Sequence, residues 1–223
     1  MRENPFWLPA HQRAVGRYEF DAFVETARDE LKRCTEDFKR FKPLEDAYGL
    51  TTSFSDKDRF QINFGKRKSD FRDMNGNMII EKGATLLYSL GIRGEVATML
   101  YGANSDSAKM QEKLIYLRIG HFSAHQLRSK MHRDIRDLVA YAYCSSVDTE
   151  PTFGERVRVW FIRRFCPRYV DDKFTTAEGY DWVFSTTRAA MMAILKPLAT
   201  AALIALFTLL GLDYFTDLFN LKG

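Results

Sequence analysis

Apolar positions between Tyr18 and Lys42 recur at alternating spacings of four and three, through Phe20, Val24, Ala27, Leu31, Cys34, Phe38 and Phe41. That period belongs to a helix with one buried stripe, and it predicts a long helix that Pro43 stops. The outer faces carry opposite charges four residues apart, Asp29 with Arg33 and Glu36 with Arg40. Such a seam suits a self-associating coiled coil or a helix laid across the protein's own sheet. Its phenylalanines and the small Ala27 and Cys34 favour the second. The Pro- and Trp-bearing residues 1–17 read as an irregular N-terminal arm.

From Leu50 to His121 the period shortens to two. Phe60, Ile62 and Phe64 alternate with polar neighbours, and Asn75-Gly76 is a hairpin-type dipeptide. The runs MIIE, ATLLYSL, EVATMLY and LIYLRIGHF follow, which gives five or six strands with short connections, an antiparallel meander. Lys66, Arg67 and Lys68 fall on a loop between strands in this reading. Helical spacing returns from Ser123 to Tyr143, where Leu127, Met131, Ile135, Leu138, Val139 and Ala142 share a face. The order helix, meander, helix predicts an α+β domain over 18–147, with two long helices flanking the sheet.

The pattern changes again at Ala189. The 24 residues AAMMAILKPLATAALIALFTLLGL, 189–212, contain one charge, Lys196. As a helix they would cover about 36 Å, enough for a hydrocarbon core of about 30 Å. The uncharged run alone, Pro197 to Leu212, is 16 residues. The expected span therefore needs Lys196 near an interface, its stem carrying the ammonium to the headgroups. Arg163, Arg164, Arg168, Lys173 and Arg188 precede the segment, and Asp213 and Asp217 follow it. Basic flanks stay on the cytoplasmic side, so the expectation is a single-pass membrane protein with a cytoplasmic N-terminal domain. The tail 213–223 places Tyr214, Phe215, Leu218 and Phe219 on one stripe, suited to an interface.

Composition sharpens this picture at three points. A 46% hydrophobic content over 223 residues permits a packed core, and MRENPFWLPAHQR lacks the apolar centre of a secretory signal. Three cysteines without metal-ligand spacing fit a reducing compartment. Net charge is +4, and residues 152–169 alone carry five arginines against one glutamate, so the rest is balanced, which argues against a nucleic-acid partner. Arg156, Arg158, Trp160, Phe161, Arg163, Arg164, Phe165 and Arg168 lie in the expected linker, 148–188. They read as a headgroup-contacting collar beside the span.

Candidate chemistry is sparse. His121, His125 and His132 cluster in sequence, but there is no H-E-x-x-H and no glutamate between them to act as a base. Arg128, His132 and Arg136 recur every four residues as a basic stripe, which with Lys66, Arg67 and Lys68 would suit a small anionic ligand. No phosphate-binding glycine loop and no G-x-S-x-G occurs. The sequence therefore predicts no catalytic residues, no metal and no cofactor. It points to a membrane-anchored sensor or adaptor that binds a ligand, a protein partner or a second copy, a layout also used by membrane-perturbing effectors. An enzyme working on lipid or nucleotide through the basic and histidine residues is the alternative.

Overall fold

A computed structural model of the protein describes residues 7–55, 58–72, 76, 78–105 and 110–175. All fall in one compact unit, Met1–Ala177. The apolar segment 189–212 with Lys196, and the tail 213–223, lie outside the described residues. Among the described residues no helix is long and apolar enough to cross a membrane.

The first helix, α1, spans Trp7–Glu36. Most of the expected irregular arm is thus helical, because Pro9 falls in the first turn, where its missing N–H has no acceptor to serve. Gly16 then lets the helix lie against the turn at Gly94: a Cβ at Gly16 would overlap the Gly94 carbonyl. The helix also ends earlier than its seam predicts. A break at 37–40 precedes α2, Phe41–Tyr48, so Pro43 sits in the first turn of a new helix rather than ending the old one.

Seven antiparallel strands form the main sheet in the order β1 (Leu50–Ser55), β2 (Arg59–Phe64), β5 (Thr85–Leu90), β6 (Val96–Tyr101), β8 (Glu112–Gly120), β9 (Arg168–Val170) and β10 (Lys173–Thr175). A smaller sheet holds β3 (Lys66–Arg72), β4 (Met78–Lys82) and β7 (Asn104–Ser105). The architecture is α+β with mostly antiparallel pairing, as the periods predict, but the expected single meander of five or six strands between two helices is, among the described residues, ten strands in two sheets with four helices. Two further readings are corrected. Lys66–Lys68 belong to strand β3, not to a loop. Residues 168–175, inside the expected linker, form a hairpin: Asp171 and Asp172 take φ of 47° and 61° between β9 and β10. Asp tolerates that left-handed conformation better than most residues, and two in succession match a tight hairpin turn.

Helix α3, Ala124–Ser145, starts at a capping box between Ser123 and Gln126. It packs beside α1 over the sheet, and α4, Phe153–Phe165, packs beside α3. Residues up to Thr175 are consequently part of the domain and not a linker. The core joins α1 to the sheet through rings: Phe23 lies 5.0 Å from Tyr88 and 5.9 Å edge-on from Phe60. Phe20, Phe23, Ile62, Leu86, Leu127 and Ile135 are fully buried, each contributing roughly 1.5–3 kcal/mol of burial energy.

Candidate functional site

Four buried carboxylates decide where the arginines go. Asp134 on α3, with 0% exposure, receives two guanidinium bonds from Arg118, one at 2.7 Å, and the Tyr88 hydroxyl at 2.8 Å. Asp137, one residue short of a turn further along α3, pairs with Arg158 of α4. Glu112 on β8 accepts from Arg163 at 2.6 Å and from Tyr141 at 3.0 Å. Glu81 on β4 accepts from Arg67 at 2.8 Å and from Tyr48 at 2.7 Å, and Arg67 also reaches Asp148 at 2.8 Å. Burial pushes the Asp134 and Asp137 carboxyls up from their ordinary range, and Arg118 and Arg158 oppose it. Such pairs hold elements in register, and removing one partner costs about 3–5 kcal/mol.

One of these contacts depends on a sheet irregularity. Counting from inward-facing Ile115, strict alternation would turn Arg118 away from the helices. The register of β6 with β8 shifts between Thr98 and Met99, so that β8 carries one extra residue there. That bulge re-aims Arg118 at Asp134. Phe60, Tyr88, Thr98 and Arg118 then form one cross-strand row, in which the buried Thr98 Oγ1 has no hydrogen-bond partner among the described residues.

The six residues expected to hold an anion separate into two places. Arg67 touches Ser146, just past the end of α3, while Lys66 and Lys68 sit exposed beside it on β3. Arg128 is 18 residues before Ser146, about 27 Å along the helix axis. It reaches Thr26 of α1 at 3.4 Å. Arg67 is committed to internal carboxylates. His132 and Arg136 do come together with new partners: the ring of Phe38 lies 4.6 Å from His132 and 5.8 Å beneath the Arg136 guanidinium. The His132 ring also stands 3.9 Å from Asp37.

His132 and Arg136 line a groove where the 37–40 break, α3 and the start of α4 meet. It comprises two hollows of about 500 and 510 Å³ that share Arg136, Gly154 and Arg158 as walls. Lys39 and Arg40 lie at one end and Arg133 at the other. The acids present are mostly engaged: Glu155 bonds Arg40 at 2.7 Å and Asp137 bonds Arg158. Lys39, Arg133 and Arg136 form no ion pair with the described residues and outnumber the one further acid on the wall, Asp37, leaving the groove positive.

The outer side of α4 has the opposite character. Phe153, Trp160 and Phe161 are 83%, 57% and 50% exposed, and Arg156 is exposed between them. Trp160 meets Phe161 edge-on at 5.0 Å, and Phe161 stacks on Phe165 at 5.6 Å. The expected collar is therefore split by the helix period: Arg158 and Arg163 turn inward to carboxylates, Arg156 and Trp160 turn outward, and the half-exposed Phe161 also borders the groove's second hollow. Arg164 is half-buried on α4, and Arg168 is half-buried on β9. Sequence reasoning missed Lys39, Arg133 and Gly154, because a groove built by three separate elements has no local signature. Its one legible component is the Thr152-x-x-Glu155 capping box that sets the start of α4. No protein-family model, curated protein or solved structure matches this chain.

Proposed function

We propose that this chain is a membrane-tethered binding protein whose α+β domain rests on the cytoplasmic face of a bilayer and engages a ligand or protein partner there. Segment 189–212 is the tether. The observation that carries this reading is the outer face of α4, where three large aromatic side chains stand in solvent on a helix clamped from behind by two arginine–carboxylate pairs. Aromatic rings of this kind gain free energy at the boundary between headgroups and hydrocarbon. An arginine near an anionic leaflet adds about 1 kcal/mol. A binding role suits the charge distribution as well, since the buried ionised groups are spent on holding elements together.

Alkaline carbonate extraction of membranes from cells making the full chain tests the tether. The native protein should remain in the pellet, and Leu206→Arg combined with Leu209→Arg should release it. A native chain that is freely soluble without detergent would overturn the reading. Phe153→Ser with Trp160→Ser, neither of which lines the groove, should weaken binding of the detergent-purified chain to anionic vesicles while leaving its melting temperature unchanged.

A further inference from the structure

The geometry points to the groove between the 37–40 break, α3 and α4 as a binding site for a phosphate-bearing ligand. This rests on the ligand-binding half of the reading above and names the ligand's chemistry. Three cations, Lys39, Arg133 and Arg136, surround the groove without internal ion pairs among the described residues. Cationic side chains ordinarily scatter in solvent, but Phe38 holds the Arg136 guanidinium over its ring at the groove wall. A planar guanidinium fixed in this way suits phosphate oxygens, to which it can donate two parallel bonds.

Gly154 supplies the second argument. It lies in the first turn of α4, where glycine is a poorer helix former than alanine. Packing does not demand it: a Cβ there would meet nothing within 4 Å, and its φ is not in the left-handed region. Glycine's absent side chain instead leaves open the spot where the two hollows join, between Arg136 and Arg158. A phosphate group at that spot approaches the backbone closely and meets the Arg136 guanidinium, while Arg158, held by Asp137, forms the opposite wall. The hollows, each about 500 Å³, fall within the size range of small-ligand sites. The phosphate belongs either to a soluble small molecule or to a lipid headgroup.

Isothermal titration of the full chain in detergent with pyrophosphate, and flotation with vesicles of phosphatidylcholine alone or containing phosphatidylinositol 4-phosphate, test the site. Pyrophosphate should bind, and Arg136→Gln should weaken it about tenfold or more. Gly154→Leu should abolish binding while keeping or raising the melting temperature, and Lys130→Gln, on the far side of α3 beside Phe122, should leave it unchanged. Selective flotation with phosphoinositide vesicles that Gly154→Leu removes assigns the phosphate to a headgroup; pyrophosphate binding without that selectivity assigns it to a soluble ligand. If neither probe binds, or if binding survives both Arg136→Gln and Gly154→Leu, the site is refuted. Carbonate extraction reads the tether separately, so either idea can fail alone.

Discussion

Cys34 shows how burial reshapes a single side chain. It lies in the core stripe of α1 at 3% exposure, and burial, reinforced by Glu30, Asp37 and Asp134, pushes its thiol from 9.0 up to about 11. The folded protein thus keeps a proton that the unfolded chain releases first. Stability associated with Cys34 is complete below about pH 9 and is lost as pH rises toward about 11. The urea midpoint should therefore fall across that window, and Cys34→Ala should flatten the slope. An unchanged slope in that variant would assign the alkaline loss to other groups. Sequence periodicity placed Cys34 in the seam correctly because its neighbours at three- and four-residue spacing are apolar. It could not place Arg118 beside Asp134, since a bulge reverses the alternation on which strand reading depends.

At the scale of elements, α4 is the part whose role the fold changes most. As a sequence it reads as a basic linker; as a helix it divides its arginines between two faces. Arg163→Ala strands Glu112 at 5% exposure, and Arg158→Ala strands Asp137 at 4%. Each should cost about 3–5 kcal/mol, and hydrogen exchange should show lost protection across 153–165. Arg156→Ala, on the outer face, should cost little. Equal protection in all three variants would mean that the ion pairs do not hold the helix. The same limitation explains strands β3, β9 and β10. KRKSDFR has no apolar alternation, and the β9–β10 hairpin is only three residues a side around two aspartates. Strands β2, β5, β6 and β8 were legible because each puts at least one apolar row into the core.

At the scale of the whole molecule, one chain carries a domain with an aromatic ridge and a positive groove and a segment with the length and composition of a bilayer span. A tether of this kind raises the effective concentration of weakly bound partners at the surface. Overproduction of the full chain should accordingly leave the membrane potential of cells intact, as a potential-sensitive dye would report. Depolarisation that vanishes when 189–223 is deleted would instead show that the segment breaches the bilayer.

Hydropathy along the chain by itself determined the α+β class, the two principal helices and the central strands, because burial acts through periodicity and composition. Tertiary structure alone decided which arginines are structural and which remain available. Partners such as Arg67 with Asp148 or Arg163 with Glu112 stand 81 and 51 residues apart. Coulomb attraction depends on distance in space, and no local pattern encodes it.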